Sequence, residues 1–326
     1  MRRSKLTIVG AGHVGAACAV WAVEKRLGDV VLIDLPELES KTVGKAMDLA
    51  QCGGIDCFDF QIFGTSDFGA AAGSDVVIIT AGMPRRPGMS RDDLLETNVK
   101  IIGPIAERLA DVVPDAILIV VTNPLDAMVY TTWKKTGFPA HRVMGQAGCL
   151  DVARFRTFIA EEIGCSMEDI SALLMGGHGD DMVPLPRYTA VAGIPVTQLI
   201  PPDRLHALVE RTKVSGGEIV QLMGTGAYLA PAAGTIQMAE AIIRDRKRIL
   251  PCAAYCDREY GVGGYFVGVP AVLGASGVER VIEVELNAEE RRLLDSSVAH
   301  VKELVRMADG HLKRERCAAT SRVACA

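Results

Sequence analysis

Leu6-Thr7-Ile8-Val9-Gly10-Ala11-Gly12-His13-Val14-Gly15 is the stretch that decides the fold. Its first four residues form a compact β-rich run, which stops on a glycine turn and leads into a long helical pattern. A strand running into such a turn, with a helix opening from it, sets a helix N-terminus against the pyrophosphate of a dinucleotide. Gly10 permits the tight turn and Gly12 lets the main chain approach a phosphate. Gly15 lets helix and strand pack closely. Ala11, His13 and Val14 lie between them, where free amides and the positive end of the helix dipole meet the anion. The chain holds 33 glycines, so a glycine triplet alone is weak evidence; its place between strand and helix gives it weight.

Asp34 ends the next β-rich run, nineteen residues past Gly15. A carboxylate there accepts hydrogen bonds from both adenosine ribose hydroxyls and repels a 2′-phosphate, which favours NAD over NADP. Runs at Leu6–Val9, Val30–Ile33, Val76–Ile79 and Ile117–Val121 are continuously apolar, as suits strands buried on both faces of a parallel sheet. Helical segments at Val14–Leu27 and Arg91–Val113 separate them. The class is therefore α/β, with an N-terminal doubly wound parallel sheet of the Rossmann kind over residues 1–148. After Gly148 the rhythm changes. Helical stretches (Asp151–Ile163, Arg204–Val214, Ala227–Arg248) alternate with short strands at Tyr265–Val269 and Val278–Val284, so residues 149–326 read as a C-terminal mixed α/β substrate domain. A last helix from about Ala288 carries Leu294, Val298, Val301 and Val305 in a stripe that suits docking on a core. A cleft between the halves is the expected place for a site.

The chain has 326 residues, of which 49% are apolar and 23% charged, and a net charge of −5. No basic surplus marks a nucleic-acid partner. No apolar stretch reaches the roughly 18–20 residues that cross a bilayer. The basic start, Met1 to Lys5, is followed by too short an apolar run for a signal peptide, so the expectation is a soluble, cytoplasmic protein without membrane or nucleic-acid partners. The nine cysteines lie scattered in apolar segments and read as buried free thiols. Cys252 and Cys256 have no matching second pair, so no metal site is expected. Cys317 and Cys325 belong to a tail, from about Lys313, that shows no core pattern and is expected to be exposed or disordered.

Three segments carry chemistry. Gly82-Met83-Pro84-Arg85-Arg86-Pro87-Gly88-Met89-Ser90-Arg91 is a loop with three arginines; Arg86 reads as solvated, whereas Arg85 and Arg91 suit carboxylate and carbonyl groups. Asp151-Val152-Ala153-Arg154 places two opposite charges on one helix face, where in a cleft each can serve a separate partner. Met175-Gly176-Gly177-His178-Gly179-Asp180 presents a histidine between glycines. A histidine is the natural proton carrier near neutral pH, and an aspartate would orient it. Asp151 and Asp180 both qualify as that partner.

Together these motifs resemble the lactate/malate dehydrogenase family, on its malate dehydrogenase side, over nearly the whole chain. The resemblance implies His178 as proton acceptor, Asp151 as its orienting carboxylate, and Arg154 as the clamp on the substrate's C1 carboxylate. It implies Arg91 as the group polarising the C2 oxygen. Asn123, in Val121-Thr122-Asn123-Pro124, would contact substrate and nicotinamide ribose, with Val121 and Thr122 beside it on the cofactor. Asn98 would make a further cofactor contact, and Met83–Ser90 would form a mobile loop over the substrate. Arg85 stands where lactate dehydrogenases generally carry a neutral glutamine. A guanidinium there needs a second carboxylate, which malate and oxaloacetate have and lactate and pyruvate lack. A homo-oligomer, dimer or tetramer, is implied by resemblance alone. The rival readings are a lactate or other 2-hydroxy-acid dehydrogenase and a dinucleotide-sensing protein without chemistry. Asp181 and Gly226 depart from the family's pattern, the first adding a negative charge near an anion site.

Overall fold

Strands β1 (Lys5–Val9) and β2 (Asp29–Ile33) pair in parallel, and β2 pairs with β3 (Ile62–Thr65). On its other side β1 pairs with β4 (Val76–Ile79), followed by β5 (Ile117–Val120) and β6 (Val143–Gly145), all parallel. The order β3-β2-β1-β4-β5-β6 reverses direction between β1 and β4, the switch point where such sheets bind ligands. The computed structural model describes residues 2–84 and 90–323; the side chains of residues 91 and 315–323 lie outside the description.

The apolar runs are strands because both faces are covered: every residue of β4 and β5 is buried, as a parallel sheet between helix layers requires. The same sheet continues into the second half. Gly145 of β6 pairs with Ala253 in the strand Arg248–Cys256, which pairs along its length with Tyr265–Gly274. That strand then meets Leu174–Gly176, the run that leads to His178. The result is an eleven-stranded mixed sheet, with a separate three-stranded one formed by residues 170–195.

Several expectations need correction. The helix read as Ala227–Arg248 ends at Ile243, and Arg248 opens a nine-residue strand. The helix expected over Arg204–Val214 is longer, Pro202–Met223. The last helix, Ala288–Val323, passes straight through Lys313 into the expected tail. The side chain of Cys317, and all of Cys325, lie outside the description. Not every thiol is buried: Cys57 is exposed. The docking stripe does form, with Leu294, Val298, Val301 and Val305 buried and extended by Ala308 and Leu312.

Candidate active site

The glycine turn closes the way its sequence demands. Gly10 sits at φ +100°, and a Cβ there would lie 2.5 Å from the Ala81 nitrogen; one on Gly15 would fall 1.9 Å from the Gly10 carbonyl oxygen. A Cβ on Gly12 would meet nothing within 4 Å, so the space over the turn is open. The helix His13–Glu24 starts there, and among the described residues no side chain caps it. Its first amides thus face that space with the dipole's positive end. Asp34 braces the turn: Oδ2 accepts the Ala11 amide at 2.7 Å and Oδ1 the Leu35 amide at 2.9 Å. Each oxygen keeps a lone pair for a ribose hydroxyl. Lys45 donates to the Ala11 carbonyl from the opposite side. An open cradle, an uncapped helix start and a carboxylate at the strand end fit a dinucleotide.

In the second half of the chain, His178 Nδ1 lies 2.9 Å from Asp151 Oδ2. Asp151, rather than Asp180, is therefore the carboxylate bonded to the imidazole. It sits in the first turn of the helix Gly148–Ile163, where a negative charge is favoured, and is 3% exposed. Arg154 does not serve a separate partner: its Nη1 bonds Asp151 Oδ1 at 3.1 Å. Its buried Nε has no hydrogen-bond partner among the described residues, so the guanidinium keeps donor capacity for a further anion. Gly216 makes room for it, since a Cβ there would come within 3.3 Å of the guanidinium.

Burial pushes the His178 pKa down, but the ion pair and hydrogen bond with Asp151 outweigh it. Asp126 adds to the rise and Arg154 opposes it, and the net shift is upward. The neutral ring holds its proton on Nδ1, facing Asp151, and leaves Nε2 as the acceptor.

The loop that carries His178 is held from outside the helix of Asp151. Ser297 Oγ accepts the Gly177 amide at 2.8 Å and Asp126 Oδ2 accepts the His178 amide at 3.3 Å. His300 pairs with Asp181 at 2.8 Å. The additional charge at Asp181 is thus turned to the last helix. Gly226 is exposed and meets nothing at its Cβ position.

Asn98 is almost fully buried, and its amide is spent on the protein. Oδ1 accepts the Met83 amide at 2.7 Å, and Nδ2 donates to the Met83 and Asn123 carbonyls at 3.1 and 2.6 Å. It pins one end of the arginine loop to the turn after β5. Ser90 fixes the other end through a capping box with Asp93 at the start of the helix Arg91–Val112. Thr122 donates to the Ala81 carbonyl at 2.6 Å and the Val121 amide bonds Ile79 at 2.9 Å, joining the ends of β4 and β5. Asn123 is exposed at that edge. Arg85 and Arg86 lie outside the described residues, as does the side chain of Arg91.

Two family models cover the chain: the NAD-binding domain of lactate/malate dehydrogenase matches residues 4–145, and the α/β C-terminal domain of the same family matches residues 149–309. The chain belongs to the lactate/malate dehydrogenase family. Within it, the malate dehydrogenase of Rhodopirellula baltica is 59% identical over 313 residues, covering 96% of this chain and 99% of the relative. That of Heliobacterium modesticaldum is 54% identical over 306 residues, covering 94% and 98%. Among solved structures, the malate dehydrogenase of Salinibacter ruber is 50% identical and superposes with a TM-score of 0.90, over 97% of this chain and 99% of that one. A lactate dehydrogenase from Cryptosporidium parvum, in complex with lactic acid and nicotinamide adenine dinucleotide, is 38% identical with a TM-score of 0.91, over 95% and 99%. Both branches of the family therefore share this fold, and overall shape does not separate them.

The residues that hold the His178 loop from behind belong to no motif of the sequence. Ser297 and His300 lie one turn apart on the last helix, and that spacing was a signal. Asp126 sits among apolar neighbours in Leu125–Thr136, where a lone acid reads as a helix-start residue.

Proposed function

We propose that the chain catalyses the reversible oxidation of (S)-malate to oxaloacetate with NAD, using His178 as the proton acceptor. The observation that carries this reading is the His178–Asp151–Arg154 cluster in a chain that also holds an open dinucleotide cradle. NAD, when bound, takes the hydride from C2 of malate. His178 Nε2 removes the hydroxyl proton, and the imidazolium so formed is stabilised by Asp151 through Nδ1–H. In the reverse direction His178 starts protonated, so its raised pKa favours oxaloacetate reduction at neutral pH. Arg154 binds the C1 carboxylate, Arg91 polarises the C2 oxygen, and Asn123 holds substrate and nicotinamide ribose. Asn98 supports Asn123 by its bond to that carbonyl. Residues 1–148 form the cofactor half and 149–326 the substrate half.

Arg85 is assigned the C4 carboxylate. A buried guanidinium facing pyruvate's methyl group would cost several kcal/mol, so the preference for oxaloacetate is expected to be large. The test is NADH oxidation with oxaloacetate and pyruvate in parallel, for wild type and Arg85→Gln. Wild type should strongly prefer oxaloacetate and the variant should shift toward pyruvate. Equal wild-type rates would remove Arg85 from the substrate and reopen the lactate dehydrogenase reading. Cofactor binding without turnover of any 2-oxo acid would favour the sensing protein.

No helix among the described residues is long and apolar enough to cross a membrane. A homo-oligomer is proposed on the resemblance to the family alone. Light scattering would give its size.

A further inference from the structure

His178 faces more than one carboxylate. Asp126, in the first turn of Leu125–Thr136, is 4% exposed, and none of the roles assigned so far uses it. Its Oδ2 accepts the His178 amide, while its buried Oδ1 has no hydrogen-bond partner among the described residues. Asp126, Asp151 and His178 line one small cavity of about 10 Å³, about the space of a single water molecule. A Cβ on residue 177 would come within 3.1 Å of Val301 Cγ2, so glycine there lets the loop pack closely on the last helix.

We propose that Asp126 is a positioning residue of the proton-transfer site: it anchors the loop through the His178 amide, and its charge joins that of Asp151 in holding the proton on the imidazole. This rests on His178 being the proton carrier. The groups around the ring come from every element packed on it. Asp151 and Arg154 face it from Gly148–Ile163 and Asp126 from Leu125–Thr136. Asp180 and Asp181 share its loop, the latter paired with His300 of the last helix. Arg154 disfavours the imidazolium, and Asp126 favours it alongside Asp151. Burial pushes the Asp126 carboxyl up to about 6, against the pull of the His178 amide and charge, and Asp151 adds to the rise. It is thus mostly ionised at neutral pH, where the reaction needs its charge.

Asp126→Asn keeps an oxygen for the His178 amide and removes only the charge. In oxaloacetate reduction, which needs protonated His178, the alkaline limb of kcat/KM should move down by about one pH unit, an about tenfold loss at pH values above both limbs. An unmoved limb overturns the proposal, as does a loss equal at every pH, which marks a structural brace. Ser297→Ala, which frees the Gly177 amide without touching a charge, should leave the limb in place; an equal shift there would assign the effect to loop geometry and overturn the proposal. Carbon-13 NMR of the wild-type aspartates tests the idea without any variant. Asp126 should titrate near neutrality, and a carboxyl that stays protonated throughout the active pH range overturns it. His178→Asn separates the two layers: full activity there would sink the proton-carrier reading, whereas an unmoved limb in Asp126→Asn sinks this one alone.

Discussion

A carboxylate held at about 6 inside the protein works against the fold at the pH where the site operates. The folded chain binds the Asp126 proton more tightly than the unfolded chain, whose value is near 3.8. The stability tied to that proton is complete below the unfolded value and is lost as pH rises through about 6. Asparagine mimics the protonated form at every pH. Asp126→Asn should therefore gain on wild type as pH rises, reaching about 1–3 kcal/mol by pH 8. His178 sharpens the contrast. Its own raised pKa stabilises the fold at low pH and stops doing so once the ring is neutral, so at high pH Asp126 loses its cationic neighbour. Urea unfolding of both proteins at pH 5 and pH 8 checks this, and a gap that fails to widen between them counts against a raised Asp126 pKa. A variant that is sturdier and catalytically poorer is what a residue kept for chemistry should give.

Between elements, the comparable feature is Glu240. Its side chain is 7% exposed and holds Lys25 at 3.0 Å, Arg244 at 2.8 Å and Arg246 at 3.1 Å. Lys25 closes the first Rossmann helix and Glu240 lies in Leu229–Ile243, so the pair fastens the cofactor turn's helix to the substrate half. Removing the shared anion leaves three crowded cations, each still reached by water. Glu240→Ala should therefore lose only about 1–3 kcal/mol, read as a fall in the denaturation midpoint, with the Michaelis constant for oxaloacetate unaffected. The elements that were hard to read from sequence share a cause with this contact: they exist because of partners far along the chain. Arg248–Cys256 carries Pro251 in its interior, which argues against a strand, but Pro251 lies opposite Pro270 and the hairpin forms around both. β3 is not an apolar run and β6 is three residues long; each is a strand because β2 or β5 offers it an edge. By contrast β1, β4, β5 and the glycine turn were legible, since local apolarity and backbone sterics suffice for them. His178 and Asp151 were legible as residues, but the choice of Asp151 over Asp180 needed the sheet that sets strand Leu174–Gly176 beside the start of the helix Gly148–Ile163.

Across the whole molecule, the functional division near residue 148 is not a division of the core. One sheet runs through both halves by way of Gly145 opposite Ala253 and Gly268 opposite Gly176. The last helix lies on Leu125–Thr136 and Arg91–Val112 of the first half while Ser297 and His300 hold the loop of His178. Tyr130 adds a hydrogen bond to Asp309 at 3.1 Å. A fragment ending at 148 would expose the edge of β6 and the helix faces that Leu294, Val298, Val301 and Val305 cover. At about 25 cal/mol per Å², losing the cover of these four buried side chains is comparable with the whole stability of an ordinary domain. The intact chain should therefore melt in a single calorimetric transition, and residues 1–148 alone should not give a folded, soluble NAD-binding unit. Two separate transitions, or a well-folded fragment that binds NAD, would mean that the shared sheet joins two independent cores. The catalytic loop would then owe its geometry to docking of the halves, and its hold on His178 would weaken with the weaker half.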